Sequence, residues 1–155
     1  MQKKIIFAKL IELITTQELE VKRSLLPMAG NGLFTKELIK KGTQIIEYKG
    51  EIIDWTEYMK RVEENRDGYL FYITDEHCID AYPTPEHVAR FANDAAGLIR
   101  VKGLRNNCIY RIDEDKCFIV ATRNIKAGEE ILVSYTRAYW NTARYNIKHG
   151  FEPAM

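Results

Sequence analysis

Three observations predict a β-rich α+β domain. Short runs of β-formers recur, as in Tyr69-Leu70-Phe71-Tyr72-Ile73 and Cys78-Ile79-Asp80-Ala81. Turn signals separate such runs, at Gly30, Gly42 and Gly50 and at the acidic stretch Asp113-Glu114-Asp115. Helical periodicity is confined to a few short windows.

Each element follows from its own residues. Within residues 3–16, Ile6, Leu10, Leu13 and Ile14 recur at helical spacing, so residues 1–18 read as an N-terminal helical extension. Residues 20–25 read as a strand, Gly30-Asn31-Gly32 as a turn, and residues 43–48 as a strand bracketed by Gly42 and Gly50. Asp54 and Thr56 can cap a helix running to about Glu64, with Tyr58, Met59 and Val62 on one face. Two strands follow, at 69–73 and 78–81. Thr84-Pro85-Glu86 then opens a second helix to about Ala92, with threonine as cap and proline in the first turn. Residues 107–111 and 117–122 flank the acidic turn as a hairpin. Residues 141–149 read as a helix closed by Gly150, within a C-terminal flank of residues 141–155. No linker composition interrupts residues 19–140, which read as one domain.

Composition narrows the function classes. The chain of 155 residues is 46% apolar, enough for a packed core. A net charge of +1, from 23 basic and 22 acidic residues, argues against nonspecific nucleic-acid binding. Three scattered cysteines without a CxxC pair argue for free thiols in a reducing compartment rather than a disulfide framework or zinc site. The three histidines have no metal-ligand spacing, so no metal is expected. No apolar run approaches a membrane span. The apolar start at Ile5-Ile6-Phe7 is interrupted by Lys9 and Glu12 with no cleavage signal, so a soluble intracellular protein is expected, in cytoplasm or nucleus.

Three separated segments carry the functional reading: Gly30-Asn31-Gly32-Leu33-Phe34, Arg90-Phe91-Ala92-Asn93-Asp94, and Gly128-Glu129-Glu130-Ile131-Leu132-Val133-Ser134-Tyr135. Taken singly each is weak, since a Gly-x-Gly is usually a turn and a strand-end tyrosine is usually core. In this order, from about Leu19 to Trp140, they resemble the SET-domain family of protein lysine methyltransferases. Lys41-Gly42, Tyr48-Lys49-Gly50-Glu51 and Tyr69-Leu70-Phe71 resemble further family motifs. The resemblance implies a fold of several small curved sheets with a threaded C-terminal segment. It implies S-adenosylmethionine as methyl donor, S-adenosylhomocysteine as product, and a protein or peptide lysine as acceptor.

The resemblance also distributes roles. Tyr135 is the catalytic residue, its hydroxyl near the transferring methyl; whether it also accepts a proton stays open. Gly30, Asn31, Gly32, Tyr69, Arg90, Asn93 and Asp94 fall at cofactor-binding positions. Tyr48, Phe71 and Tyr72 fall at the lysine channel, although strand alternation turns Tyr72 away from Phe71. Val133 sits where an aromatic often restricts the number of methyls, so its aliphatic side chain suggests multiple methylation. Asp94-Ala95 stands where the family has His-Ser, and residues 97–104 form an insertion. No cysteine-rich segment follows Tyr135. Tyr139 and Trp140 stand there instead, as in small stand-alone members. Trp140 either packs on the adenine or anchors a C-terminal helix, and Tyr139 is placed at the channel mouth.

The expected function is S-adenosylmethionine-dependent lysine N-methylation. Histone tails are the common family substrates, with ribosomal and other proteins as alternatives. The competing reading is a catalytically weakened SET-like module that binds a peptide or scaffolds a complex; Asp94 and Ala95 are its support. A monomer and a homodimer both remain open.

Overall fold

The computed structural model describes residues 17–150. The expected helix within residues 3–16 lies outside them. Among the described residues eight strands form three small antiparallel sheets. β1 (Leu19–Arg23) pairs with β2 (Asn31–Thr35). The second sheet has the order β3-β8-β7, from β3 (Gln44–Glu47), β7 (Cys108–Asp113) and β8 (Lys116–Ala121). The third has the order β4-β6-β5, from β4 (Glu51–Ile53), β5 (Leu70–Thr74) and β6 (His77–Asp80). The β-rich α+β reading therefore holds, with helices α1 (Trp55–Glu63) and α2 (Arg137–Lys148) and, between β6 and β7, one 3-10 turn, Val88–Phe91.

Helix α1 begins where the sequence places its cap: the Asp54 carboxylate accepts the Glu57 N–H at 2.9 Å. Asn65, at φ 55°, turns the chain out of the helix. The helix's inward face is only in part the expected apolar one, with Tyr58 and Val62 half-buried. Arg61 is the buried residue, while Met59 is exposed. Arg61 reaches Asp80, which is fully buried on β6, and pairs with Glu51 at 2.9 Å and Glu57 at 2.9 Å. The residue type alone would have placed it in solvent.

Two other expectations shift. Asn31-Gly32 is strand rather than turn; of the three residues Gly30 alone, at φ 67°, belongs to the bend, which it shares with Met28 at φ 64°. Thr84-Pro85-Glu86 forms a turn, His87 N–H to Thr84 O at 3.0 Å, and helical geometry is limited to Val88–Phe91. Arg90 accounts for this. Its guanidinium donates back to the Ala81 and Tyr82 carbonyls at 2.6 and 3.0 Å, holding the segment against the end of β6.

The segment after β8 is the keystone of the packing. Ile131 N–H bonds to Leu33 O at 2.7 Å, Val133 N–H to Asn93 O at 2.8 Å, and Cys108 N–H to Leu132 O at 2.9 Å. Parallel bridges join Leu132 to Asn93 and Val133 to Cys108. The Asn107 side chain completes the clamp, accepting from Leu132 N at 2.9 Å and donating to Glu130 O at 2.8 Å. Residues 130–133 thus lie between β2, the 93 loop and the start of β7, and satisfy backbone groups of all three. Ile131 and Val133 are fully buried in one cluster with Leu33, Ile119 and Ile125, and Leu132 is fully buried in a second with Leu26 and Ala95. Each contributes roughly 1.5–3 kcal/mol through burial.

Candidate active site

The clamped segment delivers Tyr135 to a cavity of about 830 Å³. Gly30, Asn31, Tyr48, Tyr69, Phe71, Arg90, Asn93, Asp94, Tyr135, Tyr139 and Trp140 all line it. They come from the β1–β2 bend, the ends of β3 and β5, the 3-10 turn and the start of α2, so five separate stretches converge. The volume suits a nucleotide-sized ligand together with an inserted side chain.

One end is an aromatic box. Tyr48 and Phe71 ring centroids are 5.6 Å apart, Phe71 and Tyr110 5.0 Å, and Tyr48 and Tyr110 6.0 Å. The Tyr48 hydroxyl donates to Tyr69 O at 3.0 Å, which fixes the ring. The Tyr135 hydroxyl donates to Ala92 O at 2.5 Å. Burial, reinforced by Tyr139, Tyr48 and Asp94, pushes the Tyr135 phenol well above its ordinary value. Burial does the same to Tyr110 and Tyr48. All three stay protonated at neutral pH, and Tyr135 remains a donor to Ala92.

Polar groups line the cavity as well. The Asn93 amide donates to Asn31 O at 2.9 Å and to Glu130 Oε1 at 3.3 Å. Arg90 lies 3.8 Å from the Tyr69 ring centroid, a cation–π contact. Its buried Nε has no hydrogen-bond partner in the protein. A buried cationic donor left open beside a cavity fits an anionic group on a ligand.

Two buried carboxylates hold this arrangement together. Glu130 accepts from Ser24 Oγ at 2.6 Å, Leu25 N at 2.9 Å and Asn93 Nδ2. Asp94 accepts from Ala96 N, Asn106 Nδ2 and Tyr135 N, each at 2.8 Å, and from Trp140 Nε1 at 2.7 Å. The sequence placed Asp94 at the site but gave no role to its side chain, and it did not single out Glu130 at all.

Three expected site residues do not reach the cavity wall. Tyr72 is exposed on the opposite face of β5, donating to Asp75 Oδ1 at 2.9 Å and meeting the Trp55 ring edge-on. Strand alternation, which points Phe71 inward, forces this. Val133 is sealed in the main core with no exposed surface. Gly32 lies in β2 against Glu130, behind the wall.

Tyr110 is a wall residue that the sequence reading missed; its signal was the alternation of the strand 107–111. Leu98 and Ile99, from the inserted stretch, add an apolar rim. Helix α2 starts at Arg137 instead of Asn141, so Tyr139 and Trp140 occupy its first turn. Thr136 caps it at φ 83° and ψ 158°, a backbone state rarely taken by a β-branched residue. Tyr135 and Trp140 rings stack at 6.0 Å and 11°, with Tyr139 edge-on to both at 5.0 Å.

Among the described residues no His/Cys/Asp/Glu group is arranged to hold a metal ion, and no helix is long and apolar enough to cross a membrane.

Comparison with known proteins places these features in a family. The SET domain model matches residues 30–136. Human histone-lysine N-methyltransferase 2D is 34% identical over 114 residues, covering 68% of this chain and 2% of that protein. A histone-lysine N-methyltransferase, H3 lysine-4 specific, from Schizosaccharomyces pombe is 36% identical over 120 residues, covering 67% of this chain and 11% of that protein. An active polycomb repressive complex 2 in the basal state, solved by crystallography, superposes with a TM-score of 0.61 at 28% identity, over 77% of this chain and 15% of the matched chain. The chain thus spans a small fraction of the relatives it matches. The matched span runs from the Gly30 bend to the Thr136 cap and so contains Tyr135, Asn93, the aromatic box and the clamped segment: the chain belongs to the SET-domain family.

Proposed function

We propose that this domain transfers a methyl group from S-adenosylmethionine to the side-chain amine of a lysine in a protein substrate. The observation that carries the reading is the convergence of the protonated Tyr135 phenol, the aromatic box and the polar pair Arg90 and Asn93 on one cavity. The relatives bearing histone-lysine methyltransferase names support the class of acceptor, and a histone tail is the first substrate to try.

The donor supplies a methyl carbon made electrophilic by the sulfonium. The amine nitrogen forms the new bond, the carbon–sulfur bond breaks, and the sulfur keeps the electron pair. Arg90 and Asn93 suit the carboxylate and amino groups of the donor, and Trp140 offers a flat apolar face for its base. The lysine ammonium, with a reference pKa of about 10.4, must shed its proton to solvent before attack. Desolvation inside the Tyr48–Phe71–Tyr110 box favours the neutral amine. Tyr135 keeps its own proton, so its part is to orient: the hydroxyl donates to Ala92 and presents lone pairs to the methyl and amine.

Titration calorimetry with S-adenosylmethionine tests the placement. Binding by the native chain, weakened in Asn93→Ala, is expected. Binding that Asn93→Ala leaves unchanged moves the donor elsewhere; no binding by folded protein favours the reading of a non-catalytic peptide-binding module.

A further inference from the structure

The geometry points to Asp94 as a positioning residue that latches the start of α2 onto the cavity and thereby sets affinity for the adenosyl ligand. The inference rests on the methyl-donor reading above and adds a residue the family pattern does not supply, since the corresponding position there is histidine.

The carboxylate of Asp94 is buried and its two oxygens each take two N–H donors. Oδ2 takes the Tyr135 backbone and the Trp140 indole, and Oδ1 takes Ala96 N and the Asn106 amide. Four donors fill the lone-pair positions of a carboxylate. A neutral histidine ring offers one acceptor nitrogen and could not serve this set. The bond to Trp140 matters most, because among the described residues little else holds that end of α2. No residue of the helix is fully buried, and its cap is the strained Thr136. The helix is seated by its first turn: the Trp140 indole on Asp94 and the Tyr135, Tyr139 and Trp140 rings against one another. Through Asn106 the same carboxylate also anchors the chain just after the inserted stretch, whose Leu98 and Ile99 form the apolar rim. One side chain therefore ties the start of α2 to the segment that follows the insertion.

Asp94→Asn is the discriminating change. In either amide orientation the NH2 group faces two N–H donors, so one pair of bonds is lost while shape is kept. Trp140→Phe removes the indole donor and keeps an aromatic ring. A Trp55→Phe background leaves Trp140 as the single tryptophan, excited selectively at the long-wavelength edge where tyrosine does not absorb; Trp55 lies on α1 away from the cavity. In this background, without ligand, Asp94→Asn is expected to red-shift Trp140 emission and raise its quenching by acrylamide, with far-ultraviolet circular dichroism unchanged. Calorimetry with S-adenosylhomocysteine is expected to show roughly tenfold weaker binding for Asp94→Asn and for Trp140→Phe, and no further loss in the double variant. Unchanged fluorescence in Asp94→Asn overturns the latch. Altered fluorescence with unchanged affinity, or fully additive losses, overturns its role in ligand binding. Failure of the parent to bind S-adenosylhomocysteine, with Trp140 still released by Asp94→Asn, sinks the methyl-donor reading and the ligand role together while the latch itself stands. Should Asp94→Asn not fold, Trp140→Phe alone decides: unchanged affinity overturns the proposal.

Discussion

The carboxylate of Glu130 occupies the space that a side chain on Gly32 would need. A Cβ at position 32 would lie 2.2 Å from Glu130 Oε1 and 2.9 Å from Cδ. The carboxylate cannot swing away cheaply, because Ser24, Leu25 and Asn93 all bond to it. The second glycine of the Gly-Asn-Gly stretch is thus required for close approach of an acid that steadies Asn93. Gly32→Ala is expected to cost about 1–3 kcal/mol, read as a melting temperature lower by several degrees. An unchanged melting temperature would contradict the packing described for Glu130.

Arg61 makes a second test of buried charge. It is 8% exposed and bonds to Asp80, whose side chain is 0% exposed. Asp80 Oδ1 also accepts Tyr82 N at 2.8 Å, which shapes the approach to Arg90. Arg61→Ala strands the Asp80 charge in the interior. Chemical denaturation is expected to show a loss of about 3–5 kcal/mol, with Arg61→Lys intermediate. A loss comparable to that of an exposed pair, under about 1 kcal/mol, would show that the pair is solvated in solution.

The buried phenols and thiols predict alkaline lability. Tyr48, Tyr110 and Tyr135 have folded values raised by burial, and burial pushes Cys108 and Cys117 up to about 12. Groups held neutral by the fold contribute stability that is complete below their unfolded values, about 8.5 for thiols and about 10 for phenols, and is lost as pH climbs toward the folded ones. Stability should therefore decline from about pH 9 upward and steepen beyond about pH 10. Tyrosinate absorbance should show a late fraction that appears only with unfolding. All three cysteines are buried, so a thiol reagent at pH 8 should react slowly until denaturant is added. Rapid labelling of the native protein would contradict this.

How much could be read from the chain alone differed between the site's parts. Tyr135, Asn93, Tyr48, Phe71 and Arg90 were legible because each sits in a short segment of recognisable order, and the fold brings those segments to one cavity. Tyr72 was assigned to the channel against its own strand parity, and the parity prevailed. Val133 was judged by its distance from Tyr135 along the chain, whereas its surroundings are set by Cys108 and Asn93 across the parallel bridges. Asp94 and Glu130 were illegible as hubs for a physical reason. Their donors lie far off in sequence: Ser24 is 106 residues from Glu130, and Tyr135 and Trp140 are 41 and 46 residues from Asp94. A local pattern shows that an acid is present and not which N–H groups will surround it. The helix expected after Thr84-Pro85 failed similarly, because its capping signals were outweighed by Arg90 reaching back to Ala81.

Removing the Tyr135 hydroxyl separates orientation from packing. Tyr135→Phe keeps the ring against Tyr139 and Trp140 and loses the bond to Ala92. It is expected to cost about 1 kcal/mol of stability, yet to slow methyl transfer roughly 100-fold with little change in donor affinity.

The most direct measurement is therefore transfer itself. The native chain and Tyr135→Phe are incubated with isotopically labelled S-adenosylmethionine and lysine-containing peptides, histone tails included, and products are read by mass spectrometry. Label is expected on lysine side chains with the native chain, and roughly 100-fold slower labelling with Tyr135→Phe. Native protein that binds the donor yet labels no lysine, or a Tyr135→Phe variant as fast as native, would contradict it.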